Sequence, residues 1–405
     1  MPILRFFILC ASVVLATAVT ATESPFLRHA LEGFDAWDTD NDKSLTVREI
    51  EYAIASPDVK QEKAAAVVAL RRVARSRSNP VRAFTKDDIR RMSGMVVVDD
   101  SADVSYDREE SADNDARPAG FDKFYAAALK RIQSTPRELI VGGVPKLDDF
   151  KQGRLGSCFC LAPLTALVYA DPKEAAKMFK PSPDGETVTV TFGKNNPVKV
   201  TRITDGEIAL ATGTGNNGVW AATFEKAVGQ MRAASRASEN SPTPLSIVSR
   251  GGSAGSMLSV LTGNTIERFS CRPWFEDSAT PKAELEEKLR ELRSLMKSAT
   301  LEKRLMTAGT PSKKNLKVPS LSRGHAYAVL GYDARSDLVT FRDPHGQNFT
   351  PRGTPGLKNG YVIKQGIFRA PLPEVVQFMG GFAFEQKTPL KTKGYVEYAP
   401  SSAND

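Results

Sequence analysis

The strongest constraint on this chain is a short run, Gln152-Gly153-Arg154-Leu155-Gly156-Ser157-Cys158, followed by an apolar stretch reaching Tyr169. The glycines permit a tight, closely packed turn, and the apolar stretch reads as a buried helix beginning at the cysteine. A thiol at that position feels the positive end of the helix, which favours the thiolate. Much later the chain supplies Gly324-His325-Ala326-Tyr327 and Arg342-Asp343-Pro344. A fold that gathers these segments would set a nucleophile, Cys158, beside a general base, His325, with Asp343 fixing the imidazole tautomer. Gln152, six residues before the cysteine, can donate its side-chain amide to an oxyanion. Taken singly, each residue also has a plain reading: a buried thiol, a core histidine, a turn aspartate before proline. Their order along one chain favours catalysis.

These residues resemble the calpain family of cysteine proteases, which carries Gln-Gly-x-x-Gly-(Asp/Asn)-Cys-Trp, Gly-His-Ala-Tyr and Asn-Pro-Trp-Gly. Further matches fall in the same order: Val219-Trp220 with Phe224-Glu225-Lys226-Ala227, then Ser249-Arg250-Gly251-Gly252-Ser253 with Leu261-Thr262-Gly263. The resemblance spans about residues 140 to 386. It implies an α+β fold with a two-lobed papain-like core, split near 245, and hydrolysis of internal peptide bonds through a thioester on Cys158. It also places the backbone of Gly252 and Gly324 along the substrate groove. The chain departs from the pattern at Ser157, Phe159, Asp343 and His345. His345 stands where a tryptophan shields the His–Asn bond, and either covers that bond in part or competes for Asp343. Calpain cores also bind calcium at two sites. Here Asp149 matches one acid, but Gly218 and Phe349 stand where glutamates are expected, so the core is expected to lack that switch.

A second pattern lies upstream. Asp38-Thr39-Asp40-Asn41-Asp42-Lys43-Ser44-Leu45-Thr46-Val47-Arg48-Glu49 resembles an EF-hand loop. It offers Asp38, Asp40, Asp42, the Ser44 carbonyl, Thr46 and a bidentate Glu49 to calcium, the one cofactor expected. Lys43 stands where a glycine normally takes positive φ. Leu45 is the apolar residue that pairs such loops in a short strand, and 85–93 is a candidate remnant of a partner. An acidic turn between helices is the plain alternative.

Residues 1–21 read as a secretory signal: Arg5, an apolar run from Phe6 to Val19 too short to span a bilayer, and small-residue cleavage sites. The chain is therefore expected to be secreted or periplasmic, without stable membrane insertion. Residues 22–95 read as a helical EF-hand region, 96–118 as an acidic linker, 119–390 as the catalytic domain (lobes 119–245 and 246–390) and 391–405 as a polar tail. Eight acids against one base between 99 and 115 cannot bury a core. Helices are expected over Phe121–Ile132, Cys158–Tyr169, Trp220–Arg236 and Ala283–Lys297, and a hairpin over Val188–Val200. Strands at His325–Val329 and Asp337–Arg342 are expected to be joined by a turn at Tyr332-Asp333. His29 reads as a helix-surface residue.

The net charge of +8 is spread along the chain. Its one compact basic loop, Lys313-Lys314 with Lys317, has no interleaved aromatics, which argues against nucleic acid as a partner. Protein or peptide substrates are the expected partners, and oligomeric state is not legible. After signal removal Cys158, Cys160 and Cys271 remain, too few for a disulfide framework. Cys160 and Cys271 either pair or stay as buried thiols. Two other functions fit parts of the pattern: an inactive calpain-like module that binds peptides or calcium, and a transglutaminase-like acyl transferase. The Gln152 spacing and the Trp220–Glu225 block argue against the transferase.

Overall fold

The structure, a computed structural model, describes residues 24–75, 81–93, 120–234, 242–275, 280–312 and 318–389. The expected signal, acidic linker, Lys313–Lys317 loop and polar tail lie outside them.

The N-terminal unit starts with α1 (Pro25–Trp37), capped by Ser24, whose side chain accepts the Leu27 N–H. β1 (Leu45–Thr46) runs into α2 (Val47–Ala55), where Thr46 and Glu49 form a reciprocal capping box. α3 (Gln61–Ala74), β2 (Ala83–Phe84) and α4 (Lys86–Ser93) follow. Leu45 takes the short-strand pairing expected of it, with Phe84 opposite, just ahead of the segment 85–93. That pairing brings the segment leading into α4 beside the acidic loop.

α5 (Phe121–Ser134) lies along α3. Alanines at 64, 65, 66 and 69 let helices approach closely, and all four are fully buried. The resulting core joins Phe26, Leu70 and Phe84 to Phe121, Ile132, Ile208 and Leu210. Phe26 stacks on Phe121 at 4.4 Å. The division at 96–118 is thus not a division of packing, because residues on both sides share one apolar core. His29 lies half-buried at the surface of α1, with its ring stacked on Tyr125 at 6.1 Å and its Nδ1 3.2 Å from Glu32.

The first lobe comprises β3 (Phe150–Lys151), α6 (Cys158–Ala170), α7 (Pro172–Lys177), β4 (Phe179–Pro181), β5 (Thr187–Phe192), β6 (Asn196–Thr201), α8 (Asp205–Leu210), β7 (Gly213–Thr214), α9 (Trp220–Ala234), α10 (Pro244–Val248) and α11 (Ala254–Thr262). β5 and β6 form the expected hairpin, with Val188, Val190 and Phe192 turned inward and threonines between them. α6 runs through the core with Phe159, Leu161 and Leu164 buried against Trp220 and Phe224. Val248, Met257 and Leu261 also belong to this core, so packing moves the lobe boundary from 245 to about Gly263.

The second lobe contains β8 (Asn264–Ser270), α12 (Lys282–Leu301), β9 (Met306–Gly309), β10 (Ala326–Asp333), β11 (Leu338–Arg342), β12 (Ile367–Pro371), α13 (Leu372–Val375) and β13 (Gly381–Pro389). Its six strands form an antiparallel sheet in the order β12-β11-β10-β9-β13-β8. Leu292, Met296 and Ala299 of α12 join the core against it. The turn expected at Tyr332-Asp333 falls later. Tyr332 pairs with Val339 and Asp333 with Leu338, and Asp337 takes the left-handed conformation at φ 54°. Among the described residues no helix is long and apolar enough to cross a membrane.

Candidate active site

Cys158 is the first residue of α6, half-buried at the junction of the lobes. The turn before it is fixed by contact. A Cβ on Gly153 would lie 2.1 Å from the Leu210 carbonyl oxygen, and one on Gly156 would lie 2.7 Å from that of Ser249. From the other lobe, His325 precedes β10 and Asp343 follows β11, and the antiparallel register brings these strand ends together. His325 Nε2 is 2.8 Å from Asp343 Oδ1. That leaves Nδ1 as the ring nitrogen open to the Cys158 thiol, whose pKa the imidazole helps to lower.

The electrostatics follow from burial and these partners. Burial alone would raise the thiol pKa, but His325 and the Ala326 N–H oppose it, and the net shift is downward. Burial would lower that of His325, yet Asp343 and the thiolate outweigh it and push the imidazole up to about 10. Asp343 is fully buried, which disfavours its charge. The opposing charges and hydrogen bonds of His325 and His345 still hold it well below the usual carboxylate range. The shifts of Cys158 and His325 run in opposite directions, each favouring the charged form of the other across the pair.

Sequence reasoning left His345 open, and the structure gives it both roles. Its ring stacks on His325 at 4.4 Å, and its Nδ1 and backbone N lie 3.0 and 2.8 Å from Asp343 Oδ1. Two residues were missed. Gln347 donates Nε2 to Asp343 Oδ2 at 2.8 Å, and only its spacing four residues after Asp343 hinted at this. Arg342 is buried and donates Nη2 to the Leu147 and Phe150 carbonyls, tying the His–Asp lobe to the Cys lobe. A third bond between lobes, 2.8 Å from the Gln152 N–H to the Pro344 carbonyl, places Gln152. Its side-chain Nε2 donates to the Leu155 carbonyl at 2.8 Å, leaving its second N–H for a ligand.

Gly252 and Gly324 are both exposed. Gly252 sits over Phe159, whose ring would be 2.8 Å from any added Cβ. Gly324 takes φ 56° just before His325. Cys160 and Cys271 are free thiols, both buried, and burial pushes Cys271 up to about 12 and Cys160 well above its ordinary value.

Beside Gln152 a cavity of about 480 Å³ is lined by Arg131, Asp149, Lys151, Gly213, Gly215 and Asn216. Phe349 packs against the sheet core and pairs through its backbone with Ile363. One carboxylate beside two cations does not fit calcium, which takes about six to eight oxygens.

The acidic N-terminal loop differs. Carboxylate oxygens of Asp38, Asp40 and Asp42 lie within 4.8 Å of one another. Asp38 Oδ2 accepts the Lys43 N–H at 2.9 Å, and Asp42 Oδ1 accepts the Ser44 N–H at 2.7 Å. Lys43 adopts φ 67°, a strain of about 1 kcal/mol for a residue with a Cβ. Asp38 Oδ1 is buried without a partner, as an oxygen awaiting a cation would be. The Glu49 carboxylate turns toward the loop but is held by the N–H groups of Thr39 and Thr46 at 2.8 and 2.9 Å. The Thr46 hydroxyl serves the capping box.

A helix-borne thiol facing a histidine–aspartate pair across two lobes defines a domain of the cysteine-peptidase type. The model of the calpain family cysteine proteases matches residues 126–353, more than half of the 405-residue chain. The chain belongs to that family, a family of cysteine-type peptidases whose substrates are proteins or peptides. Comparison with curated proteins gives no match.

Proposed function

We propose that this protein is an exported cysteine endopeptidase with Cys158 as nucleophile, His325 as base and acid, and Asp343 as the group that orients the imidazole. The observation that carries the reading is geometric: Cys158 opens helix α6, and His325 Nε2 lies 2.8 Å from a fully buried Asp343 that also accepts from the His345 N–H and Gln347. The Cys158 sulfur attacks the substrate carbonyl carbon while His325 Nδ1 holds the thiol proton. The oxyanion takes the free N–H of Gln152 Nε2 and the Cys158 backbone N–H, which has no partner inside its own helix. His325 passes the proton to the leaving amine as the C–N bond breaks, giving the thioester. Water, deprotonated by His325, then releases the acid and restores the thiol. Gly252 and Gly324 present backbone to the peptide on either side.

A thiol-directed epoxide should label the protein once, at Cys158, and Cys158→Ser should lose both label and cleavage of denatured casein. Cys160→Ser and Cys271→Ser should retain most of each. Label without cleavage would favour a peptide-binding module, and amine incorporation into a glutamine peptide would identify a transferase.

The same reading gives the N-terminal loop a calcium ion held by Asp38, Asp40, Asp42, the Ser44 carbonyl, Thr46 and Glu49. What supports it is the convergence of the three aspartates around the unpartnered Asp38 oxygen. Calcium would supply charge neutralisation and rigidity there, with no part in the peptide-bond chemistry. In the full chain, calcium should raise the melting temperature, and Glu49→Gln should remove most of that rise. Equal gains with both proteins would exclude the loop as the site. The apolar start of the chain, residues 1–21, directs it out of the cytoplasm in this reading, and sequencing the mature N-terminus from culture medium or periplasm tests that.

A further inference from the structure

We propose that Arg75, carried by the N-terminal unit, is a positioning residue for the substrate groove of the first lobe. It follows the last turn of α3, where a cation is favoured by the helix end. Its Nη2 lies 2.8 Å from Glu51 Oε1 and 3.2 Å from Ser246 Oγ, while Nη1 donates to Ser249 Oγ at 3.2 Å. Glu51 is buried on α2 and also accepts Arg71 Nε at 2.8 Å, so one end of the bridge is anchored in the N-terminal unit. Ser249 Oγ donates in turn to the Ser246 carbonyl at 2.7 Å, which fixes the hydroxyl that Arg75 reaches.

The loop held in this way is the one that bears Gly252. On its inner side the Ser249 carbonyl abuts Gly156, the Gly251 carbonyl accepts Arg232 Nη1 at 2.9 Å, and Gly252 lies on Phe159. Gly156 and Phe159 flank Cys158. Residues 249–252 are thus clamped between the nucleophile motif and Arg75, and loosening the outer jaw frees the Gly252 backbone from its seat on Phe159. Only a guanidinium fork can serve a carboxylate and two hydroxyls together; a lysine ammonium at the same place cannot span them. A loop that binds peptide backbone away from the reacting atoms contributes equally to ground state and transition state, so its loss raises KM with kcat little changed.

The kinetic half of this inference rests on the peptidase reading; the structural half does not. The test uses the full chain, a quenched fluorescent peptide cleaved by the wild type, and hydrogen exchange across 249–253. Arg75→Ala should raise KM about tenfold with kcat within about twofold, the scale of one lost charge-assisted hydrogen bond. Arg75→Lys should behave like Arg75→Ala. The pair Ser246→Ala with Ser249→Ala removes the contact from the other side and leaves the Glu51–Arg71 pair intact. It should give the same rise in KM, and adding Arg75→Ala to it should change nothing more. Exchange across 249–253 should quicken in each variant. Wild-type KM in the serine variant, multiplying effects, or unchanged exchange would each overturn the proposal. If Arg75→Ala does not fold, the serine variant decides. If the wild type cleaves no peptide, the peptidase reading fails, and the exchange measurement alone decides whether Arg75 holds the loop.

Discussion

Asp343 organises its surroundings more than its place in an Arg-Asp-Pro run foretells. It takes donors from His325, His345 and Gln347, and its charge is one reason the imidazole stays protonated so high. In the proposed mechanism the active form carries thiolate and imidazolium together. Activity should rise as pH climbs through the lowered thiol pKa and fall as it passes the raised imidazole pKa near 10, the two limbs belonging to the coupled pair. Asp343→Asn keeps an acceptor on His325 Nε2 but removes the negative charge. Gln347 can adapt by turning its amide, since its Oε1 is buried without a partner. The alkaline limb of kcat/KM should therefore move to lower pH while activity stays measurable. Asp343→Ala also strips the acceptor and should cost about 10²-fold or more in rate. An alkaline limb unmoved by Asp343→Asn would mean that another group holds the imidazolium. That His325 and Asp343 meet was legible because a histidine, one of three in the chain, and an aspartate before proline stand at the ends of two neighbouring strands. For His345 the sequence offered cover for that bond or competition for Asp343 without choosing between them, since a ring stack depends on a side-chain rotamer that no spacing rule reports.

Elements with a strong local rhythm were read well, and those whose shape is set by a neighbour were not. Thr187–Phe192 alternates strictly and forms half of a hairpin, and Cys158–Ala170 is apolar throughout and forms a core helix. The β1–β2 pair escaped notice on its β2 side because Ala83-Phe84 is two residues long and exists only against Leu45. The place of α3 was equally hidden. Its alanines carry no apolar stripe, so nothing in the local pattern says which side packs. The turn ahead of α6 illustrates constraint from outside the element. Gly153 needs no special dihedral; it needs the absence of a side chain, with the Leu210 and Ala211 carbonyl oxygens 2.1 and 2.2 Å from where a Cβ would sit. Backbone cannot yield as a side chain does, so Gly153→Ala should destabilise the fold by about 3 kcal/mol or more. Gly185→Ala, with nothing within 4 Å of its Cβ and φ 74°, should cost only about 1 kcal/mol. Chemical denaturation of both variants checks the contrast, and equal losses would show that the 153 turn can open.

On the scale of the whole molecule, the acidic stretch invited a boundary that packing does not respect. Charge composition tells where a chain is solvated, but not which of the flanking segments meet again in space. Here α3 meets α5 and α8, and Thr204 Oγ donates to the Ile54 carbonyl at 2.6 Å. A chain beginning near residue 119 would expose Phe121, Ile132 and Leu210 and should aggregate instead of acting as a free protease. Unfolding of the full chain should be single and cooperative through these residues. Phe26→Ala tests this from the far end of the sequence. Both Phe26 and Phe121 are buried and their rings are stacked, so the truncation should cost about 3–5 kcal/mol. The one melting midpoint should fall on the order of 5–10 °C, with loss of peptidase activity following the same curve. A scan that splits into two transitions, with activity lost only in the one that Phe26→Ala leaves in place, would show that the N-terminal unit melts by itself and that the shared core contributes little.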